Sequence, residues 1–455
     1  MKKQTLTTAE IPQNNQRLGV LAVIAALFLA AVDSTIVATV LPTIGQQLGH
    51  PALYPWVMSA FLLPVALVAP LAGACGDRLG VSVTLKLFLM LFLAASVLAA
   101  LSPSMPVLIL ARALQGGGAG GIIVLSYSLL AALFDIDKRG KMQGMLSSVW
   151  GLSAIVGPLL GSVLASTLGW RMIFWFNLPV GLLALLLLWV TPVVGKGGGR
   201  VRVDILAQLL LVILASSLLL LMSQPKGLNG MIPVLWAAML ISLLLLGLRV
   251  RARPESSPVP LQFLQRRELV AVIILVLLSS AGLYASVTLM PLALSQQSGS
   301  AATTGLLIML AAMGWVIGAA FCGSKLSRTG YLYMALFGMF LLAAGAFLVI
   351  PALGHHMIVL VAVALLLIGL GMGFTATTTL VFTQNTAPAD RLGAWTATVQ
   401  FLRNLGAALG VNALAAIQLH LSGIHAFQVC FGILGVSMLT GLCFTLLLPR
   451  TYPKK

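Results

Sequence analysis

Residues Gly19 to Pro42 read GVLAVIAALFLAAVDSTIVATVLP, an apolar run with one carboxylate, Asp33, inside it. About 20 apolar residues are enough for a helix to cross the hydrocarbon core of a bilayer, so the run predicts a transmembrane helix. A charged side chain near the middle of such a helix costs about 2.5–3.5 kcal/mol on insertion scales and is usually kept for a function. Asp33 is therefore the first candidate functional residue of the chain.

The composition of the whole chain extends this prediction. Of its 455 residues, 60% are apolar and 8% are charged, whereas soluble proteins carry about 25% charged residues. Runs this long and apolar leave the backbone to satisfy its own hydrogen bonds in lipid, which favours helices. We therefore expect an all-α polytopic membrane protein with fourteen transmembrane helices. The predicted segments are residues 18–41, 52–74, 83–101, 105–132, 142–165, 172–191, 205–222, 231–248, 269–294, 301–323, 331–350, 357–382, 395–419 and 426–448.

The basic residues lie mainly on one side of the predicted membrane. If both termini are cytoplasmic, all of the 26 Lys and Arg except Arg112, Arg171, Lys226 and Arg403 fall in or beside cytoplasmic loops. This asymmetry follows the positive-inside rule and predicts the orientation. It also accounts for the net charge of +17 without a nucleic-acid partner. The basic loops are suited to contact with anionic membrane lipids.

Three motifs recur after an offset of about 250 residues. The loop Gly73 to Gly80 matches Gly323 to Gly330, and both read G-x4-R-x-G. Gly116 to Gly118 corresponds to Gly371 to Gly373, and Asp137 to Gly140 corresponds to Asp390 to Gly393. We therefore expect an N-terminal six-helix bundle at 1–192 and a C-terminal six-helix bundle at 266–455. Between them, residues 193–265 are expected to form two additional transmembrane helices with cytoplasmic linkers.

Five motifs, two of them overlapping these repeats, follow one another in the N-terminal unit. They are Asp33 to Pro42 (DSTIVATVLP), Gly73 to Gly80 (GACGDRLG), Arg112 to Ala119 (RALQGGGA), Gly151 with Gly157 to Gly161 (GPLLG), and Gly169 to Gly181 (GWRMIFWFNLPVG). In this order they resemble the motifs of the 14-spanner drug:proton antiporters of the major facilitator superfamily. The chain departs from the family patterns at Val40, at Val81 and Ser82, and at Ser162.

The resemblance implies the major facilitator fold, in which substrate binds near the membrane midplane between two six-helix halves. It implies a proton-coupled antiporter that exports amphipathic small molecules or drugs from the cytoplasm or inner leaflet by alternating access. We expect such a protein in the bacterial cytoplasmic (inner) membrane, working as a monomer with a small-molecule substrate and protons as its partners. The alternative is an exporter of an anionic metabolite, a siderophore-like compound or a (lyso)lipid on the same fold.

Asp33, Arg112 and Gln115 are the predicted proton-coupling residues. Counting residues from the outer helix ends places Asp33 and Arg112 at similar depth. Burial disfavours a charged carboxylate and a nearby arginine favours it, so such a group can bind a proton in one conformation and release it in another. The alternatives are a permanent ion pair that only fixes helix packing, or an Arg112 side chain that extends to the outer headgroups. Gln115 is placed to bond the carboxylate, to line the pathway, or to form a plain interhelical hydrogen bond.

Two glycine motifs are candidates for conformational roles. Gly151, Gly157, Pro158 and Gly161 correspond to the antiporter motif, in which proline kinks the fifth helix and glycines allow close packing between the halves. The alternative is packing alone. The loop residues Gly73, Asp77, Arg78 and Gly80 are expected to act as a cytoplasmic gate, with a solvated turn as the alternative.

Aromatic and methionine side chains suit a cavity for varied apolar ligands, although several of them would also suit the membrane interface. The candidate wall residues are Trp56, Phe61, Tyr127, Trp150, Tyr284, Met290, Trp315, Phe374 and Trp395. Arg403 lies within the thirteenth segment, where three roles stay open. It could contact an anionic substrate group, bond helix carbonyls, or extend toward the cytoplasmic surface.

The sequence argues against two other classes of function. It shows no nucleophile–base set, phosphate loop or metal cluster, so we expect neither an enzyme nor a cofactor or metal site. A transport-inactive sensor or scaffold would have no need of the Asp33 and Arg112 pair. A lipophilic cation would suit competition with the proton at Asp33. With one acid and two arginines inside the spans, however, a dication sharing that single carboxylate with the proton fits poorly, and neutral and anionic substrates stay open.

Overall fold

The computed structural model describes residues 13–49, 53, 56–190, 203–223, 229–295, 301–355, 357–421 and 423–452. Within these ranges the chain forms fifteen α-helices and two short 3-10 turns, and no strand. The helices are α1 Gln13–Leu48, α2 Trp56–Leu79, α3 Val81–Ala100, α4 Met105–Leu133, α5 Ile136–Thr167, α6 Arg171–Val190, α7 Ile205–Ser223, α8 Ile232–Ala252, α9 Gln262–Gln265, α10 Arg267–Ser295, α11 Ala301–Thr329, α12 Tyr331–Gly354, α13 Ile358–Thr386, α14 Leu392–His420 and α15 Gly423–Thr445.

Every predicted apolar segment falls on one of the long helices, and only the four-residue α9 was not anticipated. Thirteen of the described helices are long and apolar enough to cross a membrane. The remaining long helix, α14, is of similar length but carries Gln400, Arg403, Asn404 and Asn412, which lower its hydropathy. Several helices extend beyond their predicted segments, as α5 does by running over Ile136–Thr167 where residues 142–165 were expected.

The helices pack in two groups with the same pattern. In the first group α4 packs on α2 and α3, and α1 packs on α5 and α6. In the second group α13 packs on α11 and α12, and α10 packs on α14 and α15. The groups meet where α5 packs on α11 and where α2 packs on α14. The two units therefore share one internal arrangement, and their mutual contacts are also repeated.

The two helices between these groups lie at the seam. Helix α7 contacts both α2 and α14, so it covers one of the lines along which the halves meet, and α8 packs on α7. Asp204 precedes α7 and joins the pair, because its carboxylate accepts hydrogen bonds from the Arg249 guanidinium at 2.7 and 3.3 Å. The same carboxylate accepts the Ala207 backbone N–H at 3.1 Å and so caps the start of α7.

The halves close against each other at the end of the molecule that carries the α2–α3, α4–α5, α11–α12 and α13–α14 loops, which we call the basic end. Gly73 lies against Gly393 there, and Gly140 lies against Gly323, so closely that a Cβ on any of the four would overlap its neighbour. These contacts join α2 to α14 and α5 to α11, the two repeated interfaces between the halves. The basic residues predicted at 1–12, 191–202 and 453–455, and Lys226, lie outside the described residues.

Candidate functional site

The centre of the first helix group is a buried ion pair. Arg112 on α4 donates from Nη1 to Oδ2 of Asp33 on α1 at 2.5 Å, and both side chains are fully buried. The other carboxylate oxygen of Asp33 accepts from Nδ2 of Asn177 on α6 at 2.9 Å. Gln115 accepts from Arg112 at 2.9 Å, and its Nε2 lies 3.5 Å from Asp33 Oδ1. The structure thus brings all three predicted proton-coupling residues into one network.

Ser96 on α3 completes this network. Its hydroxyl oxygen accepts from Gln115 at 2.8 Å and from Asn177 at 3.2 Å, and it donates to the Phe92 carbonyl at 2.9 Å. Four helices therefore supply one polar cluster inside an apolar bundle. Because a buried charge is tolerated only when it is paired and hydrogen-bonded, the ionised form of Asp33 depends on this donor set.

Aromatic rings cover the Arg112 guanidinium. It lies over the Phe61 ring at 4.1 Å and near the Phe174 ring at 6.0 Å. Its Nη2 has no hydrogen-bond partner among the described residues. Arg112 therefore lies under the rings of α2 and α6, not at the outer surface, and the glycines of α4 make this approach possible. A Cβ at Gly116 would overlap the Phe61 carbonyl oxygen.

A cavity of about 720 Å³ lies between the two helix groups. Its walls come from α1, α2, α4 and α5 on one side and from α10, α11 and α14 on the other, and α7 contributes Ala215 and Leu219. Ala30, Ala31, Ser34 and Thr35 of α1 face it, while Asp33 on the same helix does not line it. The ion pair therefore lies behind the α1 wall. Phe61 belongs to both places, since it lines the cavity and covers Arg112.

The predicted wall residues divide into two sets. Phe61, Tyr127, Trp150, Tyr284, Trp315 and Arg403 line the cavity. Trp150 and Trp315 form a stacked pair in the wall, with ring centroids 6.4 Å apart. The other set lies away from this cavity and consists of Trp56, Met290, Phe374 and Trp395.

Packing explains where that second set lies. Trp56 begins α2 and is half exposed, as suits a membrane interface. Met290 is fully buried inside the second group. Phe374 packs between Phe321 and Phe337, with ring centroids 5.8 and 5.0 Å away. Trp395 is buried against Phe263 of the short helix α9.

Arg403 reaches the cavity from α14 and is only 7% exposed. Its Nη1 donates to Gln400 Oε1 at 3.1 Å, and its Nε has no hydrogen-bond partner among the described residues. The Tyr127 hydroxyl lies against Arg403 and the Trp150 indole, and Tyr284 is close to both Tyr127 and Arg403. Of the three roles left open by the sequence, this position agrees with contact to a ligand group.

The glycines of α5 lie at contacts that allow no side chain. A Cβ at Gly157 would overlap Thr35 of α1, and one at Gly151 would overlap Val316 of α11. Gly161 is buried, whereas Pro158 lies within the continuous helix and faces outward. Gly151 also lines the cavity. Helix α5 therefore packs closely on α1 at Gly157 and on α11 of the second group at Gly151.

At the basic end, Asp77 joins the two halves. Its carboxylate oxygens accept the backbone N–H groups of Gly393 at 2.7 Å and Ala394 at 2.8 Å, in the first turn of α14. A negative charge at a helix N-terminus interacts favourably with the helix dipole. Arg78 is exposed, and Gly80, the residue before α3, has a φ of 95°, a conformation that favours glycine. Of the two charged residues in the predicted gating loop, Asp77 thus makes the contact between the halves.

A second set of polar contacts also closes the basic end. Arg139 on α5 donates to the Gln384 carbonyl at 2.9 Å and to Asn385 Oδ1 at 3.1 Å, both at the end of α13. Gln143 donates to the Gln384 side chain at 2.8 Å. The Tyr452 hydroxyl donates to the Ile136 carbonyl at 2.5 Å. The described structure is therefore closed at the basic end.

Sequence reasoning missed several of these residues. Asn177 stands in a motif that was noted, but its amide gave no sign that it would reach Asp33. Ser96 and Gln143 lie inside predicted segments and Gln384 lies two residues beyond one, but none of the three belongs to a motif. A polar residue inside a predicted transmembrane segment is the one signal that could have drawn attention to them, because such residues tend to bond across helices.

Comparison with known proteins agrees with this architecture. Residues 23–411 match the family described as Major Facilitator Superfamily. The chain is 28% identical over 418 residues to the multidrug transporter protein MdtP of Bacillus subtilis, covering 90% of this chain and 77% of that protein. It is 30% identical over 408 residues to an uncharacterized MFS-type transporter of Mycobacterium tuberculosis, covering 87% of this chain and 58% of that protein.

Solved structures show the same fold at lower sequence identity. The human organic anion transporter MFSD10 is 18% identical, with a TM-score of 0.69, and covers 94% of this chain and 99% of its own. The proton:xylose symporter XylE is 15% identical, with a TM-score of 0.65, and covers 94% of this chain and 95% of its own. At these identities the likeness concerns the fold alone. The repeated helix packing and the match over most of its length place the chain in the major facilitator superfamily.

Proposed function

We propose that the protein is a proton-coupled antiporter that exports amphipathic small molecules or drugs from the cytoplasm or inner leaflet by alternating access. The observation that carries this proposal is the buried pair of Asp33 and Arg112 behind the wall of a largely apolar cavity. An intramembrane ionisable pair of this kind is costly and is most often functional. The name of the relative MdtP, a multidrug transporter protein, supports the transport of drug-like molecules.

The network suggests how a proton could act on the cavity. When Asp33 binds a proton, its charge disappears and Arg112 loses its ionic partner. Arg112 must then find other acceptors, because an unpaired buried charge is unstable. Phe61 covers Arg112 and lines the cavity, so movement of the guanidinium changes the cavity wall. Proton and substrate then influence each other through Phe61 and α1 without sharing one carboxylate.

The finer features of the proposal follow from the same observations. Repeated helix packing supports two six-helix bundles at 1–192 and 266–455, with an insert at 193–265 and fourteen spans in all. The basic residues near the closed end support a cytoplasmic location for that end and for both termini. The motif order supports the 14-spanner drug:proton antiporter group. We propose a monomer in the bacterial cytoplasmic membrane, closed toward the cytoplasm in the described conformation.

Efflux measured in inverted membrane vesicles tests this function. A proton gradient with the vesicle lumen acidic and a panel of fluorescent amphiphiles are applied to wild type, Asp33→Asn and the control Glu268→Gln, whose carboxylate pairs with exposed Arg267. Wild type and the control should accumulate substrate and lose it when an uncoupler collapses the gradient. One proton moving down 100 mV supplies about 2.3 kcal/mol, enough for a measurable gradient. Proton-dependent accumulation by Asp33→Asn equal to wild type would refute the proposal.

A further inference from the structure

We infer that the cavity takes an amphipathic anion, whose negative group is bound by Arg403 while its apolar body lies against the remaining walls. This inference rests on the proposed transport function and names the class of substrate for it. It assigns Arg403 a binding role that is separate from the proton network at Asp33.

The charge of the cavity is the first argument. Among the described residues that line it, Arg403 is the single charged one. No carboxylate forms a salt bridge with it in the described part of the chain. A buried cation without a counter-charge is among the least favourable arrangements in a protein. The positive charge of Arg403 is therefore not balanced by any carboxylate of the described residues. A bound anion supplies that counter-charge.

The hydrogen-bond donors around Arg403 point in the same direction. Arg403 Nε and Gln400 Nε2, one helical turn apart on α14, are buried donors without a partner in the described structure. The hydroxyl of Tyr127 lies beside the guanidinium. Several donors and one positive charge therefore meet at one pole of the cavity. Charge-assisted hydrogen bonds from such groups to a carboxylate, sulfonate or phosphate are the strong class of polar contact.

Most of the remaining wall is apolar, which disfavours a small hydrophilic anion. Leu62, Ile123, Val124, Leu219, Val287 and Ile308 belong to it. Burying apolar ligand surface there is favourable by the hydrophobic effect. Together with the charged pole, this surface fits a ligand with one negative end and a bulky apolar body.

The position of Asp33 argues against the opposite preference, for a cation. A carboxylate in the cavity would favour a cationic amphiphile, but Asp33 does not line it and is already bonded by Arg112 and Asn177. A cation in the cavity would instead be repelled by Arg403. Exchange of a monoanion for one proton also moves two positive charges inward per cycle, so a potential negative inside drives export of the anion.

A charge-matched ligand series tests the inference. The probes are 1-pyrenebutyrate, 1-pyrenebutanol and 1-pyrenebutylamine, which share one apolar body and differ in charge. Binding to the full chain in zwitterionic nanodiscs is followed by quenching of tryptophan emission, since Trp150 and Trp315 line the cavity, with empty nanodiscs subtracted. The variants are Arg403→Gln, Arg403→Lys and the control Arg267→Gln, which is exposed at the start of α10.

We expect wild type to bind the butyrate at least about tenfold more tightly than the amine, with the alcohol between them. Arg403→Gln should weaken the butyrate about tenfold and leave the alcohol nearly unchanged, and Arg403→Lys should lie between. Retained alcohol binding shows that a variant is folded. If Arg403→Gln binds none of the probes, the ratio of the butyrate affinity to the amine affinity in wild type decides whether the cavity prefers an anion. Amine binding as tight as butyrate binding, or equal weakening of all three probes in Arg403→Gln, would overturn the inference.

The binding measurement needs no proton gradient, so its outcome is separate from that of the transport test. Failure here with Asp33-dependent efflux intact would leave a proton antiporter with a different substrate preference. Success here with efflux independent of Asp33 would leave an anion-binding site without the proposed coupling.

Discussion

Asp33 and Arg112 are more than a pair of opposite charges, because each depends on the other for its burial. Removing one partner of a buried ion pair leaves an uncompensated charge and typically costs about 3–5 kcal/mol of stability. Removing both charges can be nearly neutral when hydrogen bonds are kept. This asymmetry allows the structural and the proton-coupling roles of the pair to be separated by experiment.

At Asp33, we predict that Asp33→Asn will destabilise the protein strongly, by about 3–5 kcal/mol, since it leaves Arg112 charged and unpaired. The double variant Asp33→Asn with Arg112→Gln should recover most of that stability, because amides replace both charges and can still bond Asn177 and Gln115. Thermal unfolding of the purified protein measures the first effect, and proton-driven efflux measures the second.

Proton-driven efflux should remain absent in the double variant although its stability returns. A purely structural pair would instead recover transport together with stability. The combination therefore distinguishes a pair that couples protons from one that only holds α1 against α4.

For these residues, one contact could be predicted from the sequence and two others could not. Counting residues along α1 and α4 placed Asp33 and Arg112 at similar depth, and the structure places them in contact. Counting could not show that Asn177 and Ser96 join them, because depth does not fix the rotation of a helix about its axis. Transmembrane helices are apolar all round, so their sequences carry little information on which face meets a neighbour.

At the scale of the helices, one residue before α7 both caps that helix and joins it to α8. Asp204 caps α7 through the Ala207 N–H and pairs with Arg249 on α8. The hydrogen bond to Arg249, together with the Ala207 N–H, holds the pKa of the Asp204 carboxyl below its ordinary value. A carboxyl with a lowered folded-state pKa stabilises the fold above its unfolded-state pKa, and this contribution is lost as the pH falls through the folded-state value.

We predict that Asp204→Ala will lower the unfolding temperature and speed hydrogen exchange at the first turn of α7, with the lost cap costing about 1 kcal/mol. Asp204→Asn should have a smaller effect, because asparagine also caps helices but loses the ion pair. The difference in unfolding temperature between wild type and Asp204→Asn should have its largest value near neutral pH. It should shrink as the pH falls below about 3.9. A difference that stays constant through that range would contradict the ionic contribution.

The elements themselves were the most predictable part of the protein. Spanning length and apolarity are physical requirements of the bilayer, so each long helix falls on a predicted segment. Their ends were less predictable, as α1 shows by running over Gln13–Leu48 where residues 18–41 were expected. Which residues line the cavity was harder to predict than the helix ends. Trp56, Met290 and Phe374 are aromatic or methionine residues of the expected type, yet packing directs them to the interface or into the core.

For the whole molecule, the repeated contacts between the halves hold the basic end closed, and the proposed alternating access requires this end to open. Gly73 meets Gly393, and Gly140 meets Gly323, so opening the basic end must separate both pairs. Asp77 favours the closed arrangement through its two hydrogen bonds to the start of α14. The corresponding position in the second half is Ser327, which carries no charge. The lock on the closed state is therefore asymmetric although the fold is repeated, and Asp77 is the residue by which its strength can be changed.

We predict that Asp77→Asn will shift the molecule toward an open basic end by about 1–2 kcal/mol, a factor of about 5–30 in population. The substitution removes a charge from a helix N-terminus and replaces one acceptor with a donor that faces backbone N–H groups. Distances between spin labels at Lys138→Cys and Lys325→Cys, two exposed sites on opposite halves, report the shift once the four native cysteines are replaced by alanine. Arg78→Gln is the matched control, because Arg78 is exposed beside Asp77. Identical distance distributions for Asp77→Asn and Arg78→Gln would show that the carboxylate does not hold the halves closed, and the closed state would then depend on the glycine contacts and on Arg139, Gln143 and Tyr452 alone.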